Sequence, residues 1–214
     1  DNNLTWLFMK GVDDKGLLLP FLAGNRLHLD VNRATVASSA ETVTGVFVNN
    51  EWAYVVVTYD ESDGPRIFKG TLNVVATETS YDTRVVGSGA STDDSDNPWT
   101  IGNRNVNDLS FTGRIATFAH YRRRFSLAEI QAYQFNIRDD ADCDILMQLG
   151  FNGTGTQANW ASLGTAINGT VTGAVVGDHV PLRPPYGFNY GWRGNFTAAA
   201  AAAATKRLAA LGVG

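Results

Sequence analysis

Five glutamates, Glu41, Glu51, Glu61, Glu78 and Glu129, and three histidines, His28, His120 and His179, are among the groups in this chain whose types suit acid–base chemistry. Retaining glycoside hydrolysis needs a nucleophile and an acid about 5 Å apart, and these glutamates are dispersed. Glu129 closes the capping box Ser126-Leu-Ala-Glu129, which occupies its carboxylate. Glu51, beside Trp52 and a strand pattern, is the one candidate, by analogy with carboxylates in aromatic pockets. The histidines stand apart from nucleophile signatures and from metal-helix motifs. No residue is therefore assigned a catalytic role, and enzyme is the minority reading. Cys143 is the single cysteine; it cannot form an internal disulfide and reads as a small buried apolar side chain.

Two acidic segments could bind Ca²⁺, which takes six to eight hard oxygen ligands from loop carboxylates and carbonyls. One is Asp93, Asp94 and Asp96 with Asn97; the other is Asp139, Asp140, Asp142 and Asp144. Neither follows a fixed ligand-loop pattern, so the plainer reading of each is a solvated loop. Arg122-Arg-Arg124 reads as a strand edge pairing with nearby acids rather than as an anion site. Sugar binding needs an apolar floor and a few placed donors. Trp160 and Asn159, in the Gln157-Ala-Asn-Trp160 loop, and Trp6 are the candidates; Trp52 and Trp99 begin strands and read as core. Asn3, Asn152, Asn168 and Asn195 each head an Asn-x-Thr triplet, which matters only in a glycosylating compartment.

The elements that must position these groups are short β-branched and aromatic runs separated by Gly, Asn, Asp and Ser clusters, the pattern of a many-stranded antiparallel protein. Leu4–Met9 and Leu17–Leu22 read as strands joined by Gly11–Gly16, and Leu27, Leu29 and Val31 alternate inward along the next strand. Trp52–Tyr59 is apolar on both faces and reads as a central strand of a sandwich. Glu61-Ser-Asp-Gly64 and Pro65 turn it into a partner at Arg66–Lys69. Ser91–Asn97 reads as an exposed loop, followed by strands at Trp99–Gly102 and Phe111–Tyr121. A short helix is expected from Leu127 to about Phe135, then strands at Ile145–Phe151 and Asn168–Val176.

The chain has 214 residues, enough for one substantial core and an appended segment. No apolar run approaches the roughly 20 residues of a membrane-spanning helix. Up to Asp178 there are 13 Lys+Arg against 21 Asp+Glu; beyond it come only Arg183, Arg193, Lys206 and Arg207. The acidic body disfavours nucleic acid as a partner. After Pro185 the aromatics Phe188, Tyr190, Trp192 and Phe196 are spaced by Gly and Asn, an extended arm. Thr197 can cap an Ala-rich helix through Ala204 to Leu211, marginal alone in water and expected to need a partner. The division expected is a sandwich over 1–182 and a docking arm over 183–214, with Phe188, Tyr190, Trp192, Arg193, Phe196, Leu208 and Leu211 as the docking residues.

Trp52-Ala-Tyr-Val-Val-Val-Thr-Tyr-Asp60, Ile67-Phe-Lys-Gly70, Trp99-Thr-Ile-Gly102, Phe111-Thr-Gly-Arg-Ile115 and Arg124-Phe-Ser-Leu-Ala-Glu-Ile130 follow the landmark order of LamG-like jelly-roll domains. Over roughly residues 4 to 135 the chain thus resembles the concanavalin A-like lectin/glucanase superfamily. The resemblance implies an all-β antiparallel jelly-roll sandwich with one short helix, often calcium-binding, and it extends to glucanases whose glutamate spacing is missing here. Gly150–Gly155 and Asn168–Gly173 look like the piece that usually opens such domains, which implies a permuted strand order or a lost leading strand. With His179-Val-Pro-Leu182 and Gly191-Trp-Arg-Gly-Asn-Phe-Thr197, the whole resembles LamG-type proteins of bacteriophage and prophage structural genes.

The expectation that follows is a non-enzymatic virion or extracellular surface protein, docked by its tail to other subunits of a capsid, a tail or itself. It would expose a glycan-binding face, need no cofactor unless Ca²⁺, and insert in no membrane. The alternatives are a free carbohydrate-binding module and, behind it, a glycan hydrolase.

Overall fold

The computed structural model describes residues 4–12, 15–104, 106, 108–149, 155–161, 163 and 168–171. They form a mostly β structure whose named strands all pair antiparallel, with one helix among the described residues. No described helix is long and apolar enough to cross a membrane. Two compact units divide the chain, Asp1–Arg114 and Ile115–Gly214. The expected boundary at 182/183 lies outside the described residues, as do the arm, the Ala-rich helix and all seven docking residues.

The first unit carries β1 (Thr5–Val12), β2 (Lys15–Leu22), β3 (Arg26–Val31), β4 (Ser38–Thr42), β5 (Ala53–Thr58), β6 (Arg66–Thr71), β7 (Thr77–Glu78), β8 (Tyr81–Val85) and β9 (Trp99–Ile101). A six-stranded sheet has the order β8-β4-β3-β2-β1-β9: a four-strand meander with one later strand added at each edge. The second sheet runs β5-β6-β7. The side-chain period of two sends Leu27, Leu29 and Val31 inward, as the sequence implies. Leu19, Leu27, Leu29 and Ala40 then meet Phe47 and Ile67, with Ala53, Val55 and Val57 packed against them. Each fully buried Leu or Ile contributes about 1.5–3 kcal/mol.

Ionic clamps at the rim complement this core. Arg66 holds Asp63 with two bonds of 2.9 Å, and Arg84 of β8 reaches Asp63 and the Pro65 carbonyl, tying the β5–β6 turn to the other sheet. Tyr81, also on β8, accepts the Ile67 amide at 2.8 Å, and burial pushes its hydroxyl up to about 12.

The second unit contains β10 (Thr117–Tyr121), α1 (Leu127–Tyr133), β11 (Cys143–Gln148), β12 (Gly155–Gln157) and β13 (Gly169–Val171), paired β10-β11 and β12-β13. The capping box is formed: Glu129 N donates to Ser126 Oγ at 3.4 Å and Ser126 N to Glu129 Oε2 at 2.8 Å. Tyr121, Phe125 and Tyr133 make an aromatic trio with centroids 4.6–5.7 Å apart. Cys143 is fully buried, as expected, and burial pushes its thiol up to about 12.

Several expectations need correction. β5 has one hydrogen-bonded neighbour among the described residues, and β6 is the strand with two. The run from Phe111 stays irregular until Thr117: Phe111 N bonds the Gly102 carbonyl and its ring packs on Phe21, and residues 111–116 belong to no strand. The helix ends at Tyr133 rather than Phe135. The strands β4, β7, β8 and β12 have no counterpart in the sequence pattern, because their sequences lack apolar alternation. In β4 the inward positions are Ser38, Ala40 and Thr42, all fully buried.

Candidate functional site

One cleft of about 380 Å³ lies in the first unit, where the connection after β4 approaches the β6 end and the β7 turn. Val43, Val46 and Val48 line it together with Val74, and Thr71, Thr77, Thr79 and Ser80 bring hydroxyls. Two of its valines face solvent: Val48 and Val74 remain about 60 % exposed.

The cleft holds Glu51, the sole carboxylate among its lining residues. Its Oε2 lies 2.9 Å from Lys69 Nζ. Lys69 in turn donates to the Val46 carbonyl at 2.8 Å and sits 5.6 Å from the Phe47 ring centroid. Glu51 thus combines with an internal ammonium, not with a second carboxylate at the spacing hydrolysis requires. The cleft offers apolar walls, one neutralised ion pair, and hydroxyls of which Thr71 already accepts the Asn73 and Val74 amides and Thr79 donates to the Ile67 carbonyl. The sequence reading found Glu51 but missed Lys69, whose role depends on the β5–β6 register.

Three of the other glutamates are committed in the same way, and the more exposed Glu61 has an arginine nearby without a hydrogen bond to its carboxylate. Glu41 pairs with Arg26, Glu61 lies 3.7 Å from Arg33, Glu78 is 2.7 Å from Arg66, and Glu129 is 2.7 Å from Arg123. Ser126 amide and hydroxyl bonds, with Arg123, hold the Glu129 carboxyl down to about 2.

On the polar face of β3 and β4, His28 lies between two carboxylates, with Nε2 3.0 Å from Asp30 Oδ1 and Nδ1 3.3 Å from Glu41 Oε2. The Asp30 contact, outweighing burial and joined by Glu41, raises its pKa above the usual 6.5. One ring nitrogen faces each acid, so the three groups do not converge on a common point. Among the described residues, no group of three or more His, Cys, Asp and Glu is arranged to hold a metal ion.

The proposed sugar contacts are placed differently from expectation. Trp6 is 6 % exposed, packed with Met9, Leu18 and Leu109, so it offers no face for stacking. The apolar β1–β2 face explains this burial: the chain around Leu109 covers it, and Trp6 N donates to the Leu109 carbonyl. Trp160 is half-buried against Cys143, Leu146 and Ala161. Asn159 brackets backbone: its Oδ1 accepts the Leu146 and Ala161 amides at 2.8 and 3.1 Å, and Nδ2 donates to the Asp144 carbonyl at 2.9 Å. With both ends engaged, its amide is not presented to a ligand. Asn168, of the Asn-x-Thr set, accepts the Asn159 amide at 3.1 Å; Asn3, Asn152 and Asn195 lie outside the described residues.

The acidic segments also differ from open ligand loops. In the first, Asp93 and Asp96 are exposed, and Asp93 Oδ1 accepts the Ser95 amide. Asp94 and Asn97 present backbone carbonyls to Lys10. In the second, Asp140 and Asp142 pair with Arg123, while Asp144 pairs with His120 and Arg122, the acid pairing expected of the arginine run.

Against known families, residues 2–131 match a laminin G family described as the concanavalin A-like lectin/glucanases superfamily. No curated protein and no solved structure matches the chain.

Proposed function

The chain belongs to the concanavalin A-like lectin/glucanase superfamily. We propose that it is a non-enzymatic structural protein of a virion or outer surface, docked to its assembly through residues 183–214. One observation carries the non-catalytic reading: four of the five glutamates contact an internal lysine or arginine, and the fifth, Glu61, accepts the Ser91 hydroxyl with Arg33 3.7 Å away. A glycan hydrolase must keep two carboxyl groups facing substrate, one as acid and one as nucleophile or base. Attachment is supported by the composition, since the chain turns from acidic to basic after Asp178 and acquires four aromatic anchors between Phe188 and Phe196. Partners of this role are other protein subunits.

Deleting residues 186–214 is expected to leave a folded sandwich that no longer joins its assembly, measured by sedimentation and by incorporation into particles. Continued incorporation of the truncated chain at wild-type level would reject the docking role.

A second reading, a carbohydrate-binding module, is favoured by the cleft beside Glu51 and Lys69, whose valine walls and hydroxyls suit an apolar sugar face with placed donors. A glycan array probed with and without calcium tests it. Binding abolished by Val74→Asp supports the cleft, whereas silence under both conditions rejects the reading.

A further inference from the structure

Lys10 stands on β1, yet its ammonium ends 84 positions further along the chain, in the acidic loop between β8 and β9. Nζ donates to the Asp94 carbonyl at 2.5 Å and the Asn97 carbonyl at 2.7 Å, with Asp94 Oδ1 3.7 Å away. The Lys10 side chain is only 17 % exposed. The Asp94 carbonyl also accepts the Asn97 amide at 3.0 Å, so the ammonium closes a turn already formed by backbone. Thr92 fixes the loop's other end: its hydroxyl donates to the Asn32 carbonyl and accepts the Gly16 amide.

We propose that the ammonium of Lys10 is the built-in cation of this loop, doing by covalent attachment what a bound metal ion would otherwise do. Two carbonyls converging on one positive centre, with a carboxylate 3.7 Å away that makes no hydrogen bond to it, resemble the oxygen set that orders a loop around a hard cation. Here that centre is delivered by β1, whose pairing Lys10↔Trp99 in the β1–β9 ladder also sets where the loop must end. A lysine is always present at unit occupancy, so the loop is ordered without calcium. Any recognition at this end of the sheet is then independent of calcium and of chelators. This inference concerns the loop alone and stands whether or not the docking role does.

The test is amide hydrogen exchange on the full chain. Lys10→Met keeps the unbranched apolar stem and removes the ammonium; exchange at residues 92–97 is expected to rise about tenfold or more, the scale of lost charge-assisted hydrogen bonds. Leu29 and Ile67 amides, in the core, report whether the variant stays folded. In the wild type, exchange at residues 92–97 is expected to be the same in millimolar calcium and in EDTA, a measurement that holds even if the variant fails to fold. Unchanged exchange in a folded Lys10→Met protein would overturn the proposal, and so would a wild-type loop that tightens with calcium or loosens with chelator.

Discussion

The two acidic segments have nearly the same composition and opposite solutions. In residues 93–97 the carboxylates point mainly to solvent or cap their own backbone, and the groups that hold the loop are carbonyls gathered on Lys10. In residues 139–144 the carboxylates themselves do the holding. Arg123 lies 3.3 Å from Asp140, 2.9 Å from Asp142 and 2.7 Å from Glu129, with its guanidinium 4.4 Å from the Phe125 ring centroid. The difference teaches that a count of acids says little about a site. What matters is whether the fold delivers a cation to the acids or to the backbone between them.

The comparison breaks most visibly at Arg123. Arg123→Met should cost about 2–3 kcal/mol, because it leaves three carboxylates without their shared partner and loses the ring contact, although partial exposure keeps the loss below that of a fully buried pair. A urea midpoint lowered at unchanged slope checks it; a shift within error would mean the acids are solvated and the network is ornamental. Asp140→Asn should cost about 1–2 kcal/mol. Its Oδ2 faces both Arg123 and the Tyr133 hydroxyl, the latter at 2.7 Å, and Oδ1 accepts the Asp142 amide.

Acid titration sharpens the contrast. Burial pushes Asp140 and Asp144 upward, but hydrogen bonds from Tyr133, the Asp142 amide and Arg123 in one case, and from His120 and Arg122 in the other, leave both below the ordinary range. Glu129 lies at about 2. Groups with depressed values in the fold stabilise it fully above the unfolded values, about 4, and lose that contribution as pH falls through the folded ones. Amides of β11 and α1 should therefore exchange faster as pH drops from about 4 to 2, after correction for intrinsic rates. His28 has the opposite sign: with its value raised, its contribution is complete below 6.5 and fades as pH rises through the folded value. A flat stability profile from pH 6 to 8 would count against the Asp30–His28–Glu41 arrangement.

Much of the fold was legible because it rests on alternation. Leu27, Leu29 and Val31 declare an inward face, and Ser126 with Glu129 declares a helix start, so β3 and α1 follow from local pattern. β4 was not legible, since Ser38, Ala40 and Thr42 are buried by neighbours rather than by their own hydrophobicity. The site was less readable still. Glu51 could be picked out beside Trp52, but Lys69 neutralises it from another strand, and Trp6 is covered by the chain around Leu109. Asn159 looked like a polar loop donor; only the fold reveals that its amide spans three backbone groups of its own unit. Long-range partners have no signature in spacing, and these side chains are decided by such partners.

The smallest expected effect is the most discriminating. Asp94→Asn removes a carboxylate that lies 3.7 Å from Lys10 Nζ, beyond hydrogen-bond distance, and leaves the two carbonyl contacts untouched. A partly exposed charge pair without a hydrogen bond is worth about 0.5 kcal/mol or less, so the variant should match the wild type in urea midpoint and in exchange at residues 92–97. The same chemical change at Asp140, one acid to one amide, should be several times more costly. If Asp94→Asn instead destabilises as much as Asp140→Asn, the first loop is held by its carboxylates after all. The two segments would then be variants of one solution, and the distinction between acids that hold and carbonyls that hold would fail.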